Sequence, residues 1–267
     1  MDCDYNNKNS APFPLEGNGA PASIAETADL FDRSVGQIEQ AYRDLGHALG
    51  WRFLTGPKAT LSPRTRIGLI TMNPGGDHEP EDHPRGSCEA GSAYLVEAWP
   101  GYARGRAPLQ LQIQAMLGAL ARHLGDPSPL AQFMNERVLS AQYVPFRSPS
   151  FAALPRRRES LAFANGLWRG ILAHWQPRLL ITIDTETYSS LQATLLGHSA
   201  QIIDRQHLPT GWGDYQAEVI RLSRPDGAPP ITLARLPHLS RFALFGRPAS
   251  RPHMDVFLRR LAESVPE

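Results

Sequence analysis

The run Ile67-Gly68-Leu69-Ile70-Thr71-Met72-Asn73-Pro74-Gly75-Gly76 is an apolar stretch of strand length that stops at an amide, a proline and two glycines. A short apolar run bounded by turn chemistry reads as a strand buried on both faces. Three more runs have the same form: Val138 to Val144, Leu179 to Ile183 and Ile231 to Leu236. Helical periodicities lie between and after them, at about 108–124, 155–175, 185–196 and 251–263. Strands alternating with helices predict an α/β fold, a three-layer α/β/α sandwich around a central, mainly parallel four-stranded sheet.

The flanks are read from local chemistry. Residues 202 to 222, with Gly211 and Gly213 near the middle, read as a β-hairpin or a pair of edge strands. Ser23 followed by Glu26 has the form of a capping box, opening a helix whose apolar positions Ile24, Leu30, Phe31, Val35, Ile38, Tyr42 and Leu45 keep helical spacing until near Gly50. Residues 1 to 22, rich in Asn, Pro, Gly and Asp without periodicity, read as a disordered lead-in to a single domain over 23–267.

Composition removes several function classes. Two cysteines, Cys3 and Cys88, exclude a disulfide framework and a four-cysteine metal site. No long apolar run, secretory signal or lipidation pattern occurs, so the chain reads as cytoplasmic with no membrane partner. With 27 Lys and Arg against 26 Asp and Glu, the net charge of +1 draws no polyanion to the molecule as a whole. The basic residues are nevertheless clustered. Arg235, Arg241, Arg247, Arg251, Arg259 and Arg260 face one acid, Asp255, in the last segment, and Arg156, Arg157 and Arg158 form a second group. Both clusters read either as phosphate contacts or as ordinary surface in a chain that prefers arginine.

In open parallel sheets, ligands bind beyond the carboxyl ends of the strands, so the loops after Met72, Val144, Ile183 and Leu236 should converge. The last of them, Leu236-Pro237-His238-Leu239-Ser240-Arg241, carries a histidine, a serine and an arginine to that edge. Paired with Thr71-Met72-Asn73-Pro74-Gly75, it resembles the uracil-DNA glycosylase superfamily. In that superfamily a strand-end G-x-N-P-G or G-M-N-P-G loop holds the water-activating group, and a distant H-P-S-x-R-like loop supplies a histidine. The first loop is most similar to the single-strand-selective monofunctional and the mismatch-specific thymine/uracil branches. Ser140-Ala141-Gln142-Tyr143-Val144-Pro145-Phe146-Arg147 resembles the family strand ending in N-x-x-P, and Leu179 to Asp184 resembles a strand that usually ends in glycine. Three departures stand out: Leu239 in place of proline, Gln142 in place of asparagine and Asp184 in place of glycine.

The resemblance implies a monofunctional DNA glycosylase, acting on DNA as a monomer without cofactor or metal and leaving an abasic site. Bond cleavage from an oxocarbenium-like sugar needs an oriented water and a donor for the departing base. Asn73 is expected to orient the water and His238 to donate to a pyrimidine carbonyl. Gln142 is expected to read the base edge, its extra methylene setting the amide about 1.5 Å farther out and favouring a modified pyrimidine over plain uracil. Tyr94 and Phe146 are candidates for base stacking or for the core beneath the loops. Ser240, Arg241, Arg247, Arg147, Arg156 and Arg157 are candidate DNA contacts.

Lys58 is the one lysine outside the lead-in, which argues against Schiff-base lyase chemistry. The run Asp77-His78-Glu79-Pro80-Glu81-Asp82-His83 has metal-ligating residue types but reads more simply as a solvated loop or a flap. The competing reading is a base- or nucleic-acid-binding module that keeps the fold without catalysis. A phosphate-handling hydrolase lacks both a P-loop and a Gly-x-Ser-x-Gly elbow. Repair of deaminated DNA and defence against foreign DNA stay equally open as biological roles.

Overall fold

The computed structural model describes residues 24–265 apart from 82 and 226, so the lead-in and the Ser23 cap lie outside the described residues. Six strands occur among the described residues: β1 (Ile67–Thr71), β2 (Val138–Gln142), β3 (Leu179–Thr182), β4 (Gln201–Pro209), β5 (Gln216–Ser223) and β6 (Ile231–Arg235). They form one sheet in the order β2-β1-β3-β6-β5-β4. The four apolar runs are its parallel part, with β1 between β2 and β3, and β3 against β6.

The sheet is mixed and six-stranded, which corrects the four-stranded expectation. The hairpin of β4 and β5 pairs antiparallel along β6, with Glu218 opposite Arg235 and Leu222 opposite Ile231. Ala217, Val219, Ile220 and Leu222 of β5 are buried, so the hairpin extends the core instead of hanging from its edge. Strand β4 is the solvated edge.

Among the described residues seven α-helices accompany the sheet: α1 (Ile24–Asp44), α2 (Ala93–Val96), α3 (Pro108–His123), α4 (Leu130–Glu136), α5 (Arg157–His174), α6 (Thr185–Gly197) and α7 (Arg251–Ala262). Alternate strand residues point to opposite faces, and that period divides the core in two. Ile70, Leu180 and Leu233 pack with Ile38 of α1, Trp168 of α5 and Leu191 of α6. Their neighbours Leu69, Ile181 and Ala234 pack with Leu117 of α3, Phe133 of α4 and Phe257 of α7. Burial on both faces explains why β1, β2 and β3 read as unbroken apolar runs without alternation. Gly68 sits inside β1 because a Cβ there would lie 2.5 Å from the Trp175 ring and 2.8 Å from Leu180. Among the described residues no helix is long and apolar enough to cross a membrane.

Candidate functional site

The carboxyl ends of β1, β2, β3 and β6 share one edge of the sheet, and the turn of the β4–β5 hairpin returns to it beside β6. Pairing continues past the end of β1, where Tyr143 N donates to Thr71 O (2.7 Å) and Val144 N to Met72 O (2.8 Å). Asn73 is therefore held against the loop that follows β2. Its Nδ2 donates to Ser148 Oγ at 2.8 Å, with Pro74 O at 3.1 Å and Phe146 O at 3.2 Å. Its Oδ1 makes no hydrogen bond among the described residues and stays available as an acceptor, the role an amide needs to orient a water. Gln142 closes β2 as a buried side chain whose Oε1 accepts from Thr71 Oγ1 at 3.0 Å.

His238 follows β6 in a tight turn, its carbonyl accepting from Arg241 N (2.9 Å) and Phe242 N (3.1 Å). Leu239 is buried and anchors this turn by its apolar side chain, which accounts for leucine at that position. The Nδ1 of His238 lies 3.3 Å from Ser240 N and 2.7 Å from Ser240 Oγ. A backbone N–H only donates, so Nδ1 accepts and the ring hydrogen of the neutral imidazole resides on Nε2. The outer rim of the residue is exposed, yet the protein packed around the ring lowers its pKa by desolvation; Asp184 opposes that shift and Arg241 adds to it.

His238 opens into a cleft of about 480 Å3, lined with it by Asp184, His207, Asp214, Tyr215 and Arg235. The carboxylate of Asp184 is committed to capping α6, accepting from Thr187 N and Thr187 Oγ1 at 2.7 Å each. Asn73 does not line this cleft. One strand, β3, separates β1 from β6, so the ends carrying Asn73 and His238 stand about 10 Å apart at ordinary strand spacing. The two side chains reach one edge of the sheet without sharing one cavity.

Several candidates are corrected. Tyr94 and Phe146 are core residues, with no open face for a base. Tyr94 is buried edge-on to Trp99 at 6.0 Å, and Phe146 stacks on His47 at 4.2 Å with Phe163 at 5.5 Å. Arg147 is buried, donates to Gly75 O and braces the Asn-Pro-Gly turn; burial lowers its pKa, aided by Arg52. Arg247 is committed to the hairpin turn, donating to Gly211 O at 2.5 Å and lying 4.4 Å from the Trp212 ring.

Arg241 is exposed, its guanidinium making no hydrogen bond or ion pair among the described residues, and Ser240 is exposed beside it. Arg156 and Arg157 are exposed at the start of α5, the first 3.5 Å from Glu159 and the second 5.8 Å from the Phe151 ring. Among the described residues of the 77–83 run, Asp77 pairs with His78, Glu79 with Arg85, and His83 with Glu97. No cluster of three metal-ligating side chains forms among the described residues.

Sequence reading missed His207, Asp214 and Tyr215, which belong to the hairpin. Gly211 and Gly213 marked its turn, but its position beside His238 depends on the pairing of β5 with β6. A second cleft of about 520 Å3 lies at the opposite edge, lined by Arg64, Arg66, Arg137 and Arg178 with the carboxyl end of α3. None of the motif residues borders it, and carbonyl ends of helices attract arginines without any ligand. No protein-family model matches the chain, and no curated protein sequence matches it.

Proposed function

We propose that this chain is a monofunctional DNA glycosylase, hydrolysing the N-glycosidic bond of an extruded uracil-like or modified pyrimidine and leaving an abasic site. The observation that carries this reading is the His238 imidazole, whose hydrogen is set on Nε2 by the two Ser240 contacts at the wall of a cleft on the carboxyl edge. A neutral Nε2–H is a suitable donor for a pyrimidine oxygen that gains charge as the base departs, and one such donor contributes about 3 kcal/mol. Asn73, with its Nδ2 tied down and its Oδ1 open, orients a water toward the sugar. Gln142, buried outside the lining of the His238 cleft with its Oε1 held by Thr71, keeps its Nε2 for a base edge, and Arg241 offers a guanidinium to a phosphate. On this reading the parallel strands β2-β1-β3-β6 form the glycosylase-like core of an α/β/α sandwich, and the hairpin is an addition to it.

The experiment is incubation with oligonucleotides carrying uracil, thymine mismatches, deaminated purines or bulky modified cytosines, followed by alkali cleavage. Alkali-labile product from at least one, lost in His238→Ala, is expected; absence of product from all of them overturns the reading. One observation favours a second reading, a base-binding module without catalysis: Asn73 lies outside the lining of the His238 cleft. Base-specific binding that survives Asn73→Ala, with no product from either protein, would select it.

A further inference from the structure

The turn that joins β4 to β5 is unusually well fixed for a hairpin tip. Thr210 is buried and its Oγ1 donates to Tyr215 O at 2.7 Å. Gly211 has a φ of +71°, and a Cβ there would fall 2.3 Å from Ala249 O, so the turn is pressed onto the segment before α7. Arg247 clamps it from that segment through Gly211 O and the Trp212 ring.

On this base Tyr215 is left 53% exposed. Its ring lies 4.3 Å from Phe242, and Phe242 stands edge-on to Trp212 at 5.7 Å. Phe242 belongs to the His238 turn through its own backbone bond, so aromatic wall and imidazole border the same cleft.

From this juxtaposition we infer that Tyr215, backed by Phe242, is the stacking surface for an unpaired nucleobase beside His238; the inference rests on the glycosylase reading and names the nucleic-acid form that the site takes. An exposed aromatic face held rigidly at a lip gains by stacking whatever base it meets. In a duplex both faces of each base are already stacked, and only an unpaired or extruded base can answer it.

Charge points the same way. Duplex affinity comes largely from neutralised phosphates. Of the arginines expected at this edge, Arg147 is buried and Arg247 is engaged, Arg235 faces Glu218 at 3.5 Å, and Asp184 and Asp214 line the cleft. With Arg241 left for a phosphate and these others engaged, stacking supplies more of the affinity than phosphate contact.

The test is fluorescence anisotropy with a short uracil-containing strand, alone and annealed to its complement, against the wild type, Tyr215→Ala and Tyr215→Phe. The single strand is expected to bind at least about tenfold more tightly than the duplex, with about a tenfold loss in Tyr215→Ala and little change in Tyr215→Phe. Equal or tighter duplex binding, or equal affinity of Tyr215→Ala and wild type, overturns the inference.

Binding requires no hydrolysis, so the two claims fail separately. Tyr215-dependent binding by a wild type that makes no abasic product from any oligonucleotide of the panel sinks the hydrolysis alone. Equal excision rates in wild type and Tyr215→Ala, or no binding to either DNA, sink the stacking role alone.

Discussion

The backbone N–H of Ser240 lies 3.3 Å from Nδ1 of His238, and the Ser240 hydroxyl reaches the same nitrogen at 2.7 Å. Protonating Nδ1 would set two hydrogens against each other along the N–H contact, and burial already holds the pKa of this ring below 6.5. His238 is therefore expected to be neutral at pH 7 with its hydrogen on Nε2, a state that nitrogen NMR shifts read directly. Excision should be flat above about pH 6.5 and fall as the pH drops through the lowered pKa. His238→Ala should lose about 100- to 1,000-fold in rate. A resonance reporting hydrogen on Nδ1 at pH 7 would remove the proposed donor.

Asn73 serves structure through one end of its amide and, on the proposed reading, chemistry through the other. Asn73→Ala should abolish excision and lower stability by about 1–3 kcal/mol, because Ser148 Oγ, Phe146 O and Pro74 O lose their shared donor. Ser148→Ala removes one acceptor and leaves Oδ1 in place. It should cost about 1 kcal/mol in urea unfolding while keeping most of the excision rate. Wild-type rates in Asn73→Ala would reduce the residue to a turn brace.

The parallel core was legible because strands buried on both faces announce themselves as apolar runs with punctuated ends, as Ile67 to Met72 does. The hairpin's place in the sheet was not, since what fixes it is the register of β5 on β6, a long-range pairing with no local signature. Arginine and aromatic roles failed for a related reason. Arg147 and Phe146 belong to a stretch that looks loop-like in sequence, yet the loop turns inward, burying Phe146 against Tyr42 of α1 and Phe163 of α5 and Arg147 against Gly75. Asp184 departs from the glycine of the resembling strand because it caps α6.

Arg52 and Glu97 form a buried bidentate pair, at 2.9 and 2.5 Å, with His83 at 3.6 Å from the carboxylate. Burial alone would raise the Glu97 pKa, but the Arg52 hydrogen bonds and charge hold it below the ordinary carboxylate range. Its contribution is therefore complete above about pH 4.5 and is lost as the pH falls through the lowered folded value. Glu97→Ala strands the guanidinium and should lower the unfolding free energy by about 3–5 kcal/mol in urea at neutral pH. A loss below about 1 kcal/mol would mean that water reaches Arg52.

His47 supplies the opposite lever. Its Nε2 sits 2.9 Å from Ser160 Oγ and its ring lies on Phe146, and burial lowers its pKa with help from Arg156. His83 and His198 are lowered chiefly by burial as well. Unfolding returns each to about 6.5, so below that pH the unfolded chain binds more protons than the folded one, and stability falls as pH decreases from about 7 toward 5. His47→Gln retains an amide for Ser160 but cannot be charged in this range. It should lower stability at pH 7 through weaker stacking and flatten the acid slope, as measured by urea midpoints across the interval. An unchanged slope would mean that His47 keeps the same pKa folded and unfolded, and that its packing against Phe146 does not exclude the proton.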